Sequence, residues 1–195
     1  PKGTTTERTA TSSGISTEIG SIRYNTDSNK MECYVNNKWM IVSTSSPNLD
    51  GGVRGLFGGG SAPSSTDRID FITISTTGNA TDFGNLTVAR QWVFGAASSR
   101  VRGVWAGGSS PLTDTIDFVT ISITGNATDF GNLIDSKLAH AGCGNETRGL
   151  FGGGNPSNST TKTDGIEFIT IASTGNALDF GNLNAATASL TATAS

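Results

Sequence analysis

Cysteine and histidine are nearly missing from this chain of 195 residues, which holds two cysteines, Cys33 and Cys143, and one histidine, His140. The cysteines lie far apart in different segments, so neither a CxxC metal clip nor a disulfide framework is suggested, and two free thiols are expected. Charge is also scarce, at 15% of residues, with a formal balance of −3 and a pI near 5.0. That excludes the basic footprint of a nucleic-acid binder. No stretch approaches the roughly 18 apolar residues of a membrane span. The first twenty residues lack the charged start and the apolar stretch of about 7 to 15 residues that mark a secretory signal.

Small and turn-forming residues take the place of the missing ones. Gly 26, Thr 28, Ser 23 and Asn 15 make up nearly half of the chain, which is not the composition of a helical protein. The 34% of hydrophobic residues are gathered into short β-branched and aromatic runs, which separates the chain from a disordered one. An all-β fold is expected.

An internal repeat dominates. The segment IDFITISTTGNATDFGNL begins at Ile69, IDFVTISITGNATDFGNL at Ile116 and IEFITIASTGNALDFGNL at Ile166. A glycine-rich run precedes each, RGLFGGG from Arg54, RGVWAGG from Arg102 and RGLFGGG from Arg148. A weaker apolar run follows each, VARQWVFGAAS from Val88, SKLAHAGCGN from Ser136 and AATASLTATAS from Ala185. In IDFITIS, alternation turns Ile69, Phe71 and Thr73 one way and Asp70, Ile72 and Ile74 the other, so both faces are largely apolar. Such a strand suits the middle of a sheet sandwiched between two neighbours. TTGN, ITGN and STGN are turns, because Gly supplies positive φ and Asn tolerates it, and ATDFGNL or ALDFGNL then returns antiparallel. The GGG or GG removes side chains where another backbone approaches or the strand bends.

Four antiparallel strands in a period of roughly 40 to 50 residues define a propeller blade, and the double glycine closing the second strand resembles the kelch repeat over Gly51 to Ser195. The regular Tyr and Trp positions of kelch are absent, Trp105 and Trp92 occurring once each. RGLFGGG and IDFITI followed by TGNATDFGNL are closer to the kelch-like repeats of virion proteins of marine bacteriophages, a resemblance that implies a structural or appendage role and brings no catalytic residue. The expected order is an extended arm and small β-meander over 1–42, a linker over 43–52, and three repeats at about 53–98, 101–145 and 148–195.

In the head, GSIRYN from Gly20, KMECYV from Lys30 and KWMIV from Lys38 read as three short strands with Tyr24, Tyr34 and Trp39 as their core. The segment resembles a short element of phage tail-fibre and tail-associated proteins, which implies attachment to a particle. Virion localisation, after assembly in the host cytoplasm, follows from the same resemblance.

Candidates for chemistry are few. His140 stands in one repeat without a companion histidine and reads as a partly buried strand residue, and Cys143 lacks the orienting group and oxyanion hole of a nucleophile. Asp67, Asp114 and Asp164 recur, as do Asp70, Asp117 and Glu167, and Asp82, Asp129 and Asp179. They would bind calcium if they converged with Asn79, Asn126 or Asn176, or would contact a glycan. The reading preferred for them is structural, with turn capping by the first set and the others bonding backbone or pairing with Arg54, Arg102 and Arg148. RGLFGGG lacks the helix and the Lys and Ser/Thr of a phosphate loop. Trp92 and Trp105, which break the repeat, are the candidates for surface or glycan contact, although the reading preferred for both is core or inter-blade packing.

The chain is therefore expected to be non-enzymatic and free of cofactor or metal. Its expected partners are further copies of itself, other virion proteins and a host-surface glycan or protein, with no nucleic acid and no membrane insertion. A cellular or secreted kelch-like protein- or glycan-binding module is the rival reading. Three units are too few for a closed propeller of about four to eight blades, so oligomerisation is expected. Ser189 to Thr193 is expected to pair antiparallel with Gly55 to Gly58, within the chain or across an interface.

Overall fold

The computed structural model describes residues 2–6, 18–42, 53–156 and 160–194. The linker expected over 43–52 lies outside the described residues. Two compact units emerge, Pro1–Pro47 and Asn48–Ser195. The fold is all-β, with no α-helix among the described residues.

The head unit is one four-stranded sheet in the order β1-β2-β3-β4, formed by Lys2–Gly3, Ile22–Asn25, Lys30–Val35 and Lys38–Ile41. The last three strands form the expected meander, while β1, too short to be legible, pairs parallel to β2. The expected aromatic core is not what fills this unit. Tyr24 is exposed and Tyr34 and Trp39 are half-buried, whereas Arg23, Asn25 and Glu32 are fully buried. The Arg23 guanidinium donates to the carbonyls of Gly3 (2.6 Å) and Thr4 (2.7 Å), lies 3.5 Å from Glu32 and covers the Trp39 ring. Asn25 donates to Glu32 at 2.9 Å. Strand alternation puts these polar residues on one face and Ile22, Tyr24, Met31 and Met40, all exposed, on the other.

The second unit holds three antiparallel meanders. The first sheet has β5 (Arg54–Gly58), β6 (Arg68–Thr73) and β7 (Thr81–Asn85). The second has β8 (Gly95–Ser98), β9 (Arg102–Ala106), β10 (Thr115–Thr120) and β11 (Thr128–Asn132), and the third β12 (Ala141–Gly144), β13 (Arg148–Gly152), β14 (Gly165–Thr170) and β15 (Leu178–Asn182). The weaker run after each repeat therefore belongs to the following sheet: β8 pairs with β9, and β12 with β13. Residues 183–194 contain no strand, and the expected pairing with Gly55–Gly58 inside one chain is not formed. Among the described residues the outer edge of β5 has no partner and no closed ring of sheets is formed.

Each sheet has a front face and a back face, and the cores lie between sheets. Ile69, Phe83 and Leu86 on the back of the first sheet pack with Trp105 and Val119 on the front of the second. Val104, Ile116 and Phe130 on the back of the second pack with Phe151, Ile169 and Ile171 on the front of the third. This is why both faces of the central strands are apolar: each side meets a neighbour rather than water. The glycine pairs are required by close approach. Gly107 holds φ +60, and a Cβ there would lie 2.5 Å from the Lys137 carbonyl, which accepts the next N–H, that of Gly108, at 2.9 Å. Gly59–Gly60 and Gly153–Gly154 repeat the arrangement with the carbonyls of Arg90 and Thr187.

Candidate functional site

The recurrent polar residues converge on the junctions between sheets. The guanidinium groups of Arg54, Arg102 and Arg148 lie 4.8, 4.5 and 4.9 Å from the ring centres of Phe71, Phe118 and Phe168 in their own sheets. Arg54 then donates to the Ile121 carbonyl at 2.7 Å and Arg102 to the Ile171 carbonyl at 2.8 Å, both in the following sheet. None of the three pairs with a recurrent acid, as the sequence had suggested. Arg148 is exposed and has no carbonyl acceptor among the described residues.

The acids of the central strand take cations that the sequence did not single out. Asp117 lies 2.8 Å from the Arg90 guanidinium, both fully buried, and accepts from the Thr87 hydroxyl (2.6 Å) and N–H (3.2 Å). Glu167 accepts from the Lys137 ammonium at 2.5 Å and from the Ile134 N–H at 2.7 Å. In both cases the loop leaving one sheet is tied to the front of the next. Burial lowers the Arg90 pKa from the usual arginine value, against the pull of Asp117. The signal for these cations was available: Arg90 and Lys137 stand four residues after the repeated Leu86 and Leu133, but Thr187 occupies that place in the third repeat. Asp70, the first member of the set, has no side-chain partner among the described residues.

The TGN turns close the other end of each junction. Gly125 and Ala127 donate their N–H groups to the carbonyls of Phe83 and Asn85, and the Asn126 side chain accepts the Asn85 N–H at 3.1 Å. Gly175, Ala177 and Asn176 repeat these bonds on Phe130 and Asn132. Asn126 and Asn176 thus spend their oxygens on backbone, and no group of three metal-ligating side chains occurs among the described residues. Asp82, Asp129 and Asp179 are exposed, standing opposite Asp70, Asp117 and Glu167 beside a register shift in the ladder.

The tryptophans have opposite placements. Trp105 is buried against Gly58 and is not a surface contact. Trp92 is exposed, holds φ 58 and packs its ring 5.7 Å from that of the exposed Phe94. Phe94, Ala141 and the tail residues Ser189–Ala192 line a groove of about 370 Å³. Trp92 belongs to a column: the Ala139 N–H donates to the Trp92 carbonyl, and the Ser189 N–H to the Ala139 carbonyl, all three residues having positive φ.

His140 is completely buried in the loop entering β12, beside Phe151, rather than partly buried in a strand. Neither ring nitrogen has a hydrogen-bond partner among the described residues. Desolvation, with Lys137 nearby, pushes its pKa down to about 3, so the ring is neutral at ordinary pH. Sealed from solvent, it offers no base to a substrate. Cys33 and Cys143 are free thiols.

No family model matches the chain, and no curated protein shows significant similarity to it.

Proposed function

We propose that the chain is a non-enzymatic structural protein of a bacteriophage virion, a component of a tail fibre or other appendage. The observation that carries this reading is that six of the repeated polar side chains join one sheet to the next. Arg54, Arg102, Asp117, Glu167, Asn126 and Asn176 all bond across junctions, and no convergent set for catalysis stands out among the described residues. The three sheets act as kelch-like propeller blades in an unclosed arc. Their repeats resemble those of phage virion proteins, and the head resembles tail-fibre elements. The exposed apolar face of Ile22, Tyr24, Met31 and Met40 supports a head that attaches to another virion protein. Several repeat domains displayed on one particle would bind a host surface by avidity, each contact being weak.

The exposed Trp92–Phe94 pair beside its groove favours a second reading, a cellular or secreted kelch-like module that binds protein or glycan. Quantitative mass spectrometry of particles purified from the source of the chain separates the two. Recovery at a fixed copy number per particle is expected. Recovery only from the particle-free fraction would overturn the virion role.

A further inference from the structure

The first and third sheets expose surfaces that the internal junctions bury. On the front of the first sheet Ile74 is 66% exposed, against 5% for Ile121 and 1% for Ile171, its counterparts in the other two sheets. Phe57 is 61% exposed where Trp105 and Phe151 are buried. On the back of the third sheet Phe180 is 51% exposed, against 3% for Phe83 and 2% for Phe130. These two surfaces are the separate halves of the junction that occurs twice inside the chain.

We propose that the back of the third sheet in one copy docks on the front of the first sheet in a second copy, reproducing the internal junction. The ion pair of that junction has no counterpart, because Thr187 stands where Arg90 and Lys137 supply a cation, but the backbone-directed bonds have both halves open. Arg148 would donate to the Ile74 carbonyl, as Arg54 does to Ile121 and Arg102 to Ile171. The N–H groups of Gly78 and Ala80 would meet the carbonyls of Phe180 and Asn182, and Asn79 would accept the Asn182 N–H, as Asn126 does for Asn85. The Asn184 N–H would reach Asp70, where Ile134 reaches Glu167. The column of positive-φ residues would continue from the Ser189 carbonyl to the Trp92 N–H of the second copy.

The tail completes the match. Ser189 corresponds to Ala139, so Thr191–Ala194 correspond to β12 and would pair along β5, with Thr191 opposite Gly58 and Ala194 opposite Gly55. A groove of about 240 Å³ runs along that edge, between Arg54–Leu56 and the outer surface of Ala96–Ser98. The alternating Thr and Ala of the tail have better strand character than the SPNLDGG segment ahead of β5, with its Pro47 and two glycines. A second copy is therefore the occupant. The contact is heterologous, joining unlike faces, so copies form a ring where the rotation closes and a filament where it does not. It is independent of a virion role.

Sedimentation of the full chain tests this at concentrations up to about 100 μM, above the affinities of stable interfaces of ordinary size. The wild type should exceed a monomer. Ile74→Glu blocks the front and Phe180→Glu the back, each at an exposed position, and each variant alone should be monomeric. Their equimolar mixture should give a species of two copies and nothing larger, since one competent front and one competent back remain. A monomeric wild type, or association that survives in either single variant, would overturn the proposal, as would a mixture that stays monomeric. Amide exchange of the wild type reads the same junction without a substitution. Gly78, Ala80 and Asn182 should slow on association to match Gly125, Ala127 and Asn132. Exchange at those sites that is independent of concentration would also overturn it.

Discussion

The head and the repeat unit both bury ionised groups, but they put them to different uses. In the head, Arg23, Glu32 and Asn25 are themselves the buried interior of a single sheet that turns Ile22, Tyr24, Met31 and Met40 outward. In the repeat unit, Arg90–Asp117 and Lys137–Glu167 are tethers set into apolar layers supplied by two sheets. One short sheet encloses too little apolar surface to form an oil-like core, and a hydrogen-bonded ion cluster takes its place. Stacked sheets have apolar surface in excess and use charge to fix which loop meets which strand.

Removing one member of a buried pair tests that contrast most strongly, since it strands the other charge. Asp117→Ala should cost about 3 to 5 kcal/mol in the denaturant unfolding of the repeat unit. Replacing both Arg90 and Asp117 with leucine should recover most of the loss, because the surroundings are apolar. The same double replacement of Arg23 and Glu32 should not rescue the head, where Arg23 also holds the carbonyls of Gly3 and Thr4. Equal rescue in both units would remove the distinction.

Gly107→Ala should cost about 2 to 4 kcal/mol, from a left-handed φ and a clash with the Lys137 carbonyl together, read from the shift in the same transition.

Acid separates the units through the only histidine. The folded state keeps His140 neutral until about pH 3, while the unfolded chain takes up its proton near pH 6.5. This contribution is absent above about pH 6.5 and destabilises the repeat unit as the pH falls towards 3, by about 2 kcal/mol at pH 5. Unfolding between pH 7 and 5 should show it. His140→Leu should flatten that slope, because Val93 and Leu190 fill the corresponding positions. The head contains no histidine and should lack this component.

The smallest effect belongs to the exposed acids. Asp82→Asn, Asp129→Asn and Asp179→Asn each relieve an acid facing another acid across the ladder, and each should shift stability by less than about 0.5 kcal/mol in thermal melts.

The strands of the repeat unit were legible because β-branched runs, TGN turns and glycine pairs recur in register with the backbone. The grouping of strands into sheets was less so: nothing in VARQWVFGAAS says whether it joins the sheet before it or after it. Trp105 is a surface candidate only because it breaks the repeat, and its burial as the bulky filler of a layer between sheets agrees with the preferred reading of it as inter-sheet packing. Arg90 and Lys137 escaped notice because the partnership depends on charge at one loop position, which Arg, Lys and Thr187 fill in turn. In the head, Tyr24, Tyr34 and Trp39 read as the core because they are its aromatics, yet Arg23, Asn25 and Glu32 fill the interior, held by one another and by the carbonyls of Gly3 and Thr4.

The loop from Leu86 to Phe94 is fastened on both sides. Its Arg90 backbone is bonded to Thr66 and Gly60 of the sheet it leaves, and its Arg90 side chain to Asp117 of the sheet it enters. Tension along the polypeptide cannot draw that connector out as slack. The load passes through the ion pair and the backbone bonds around it, so the first and second sheets respond to pulling as one mechanical body until those bonds rupture together.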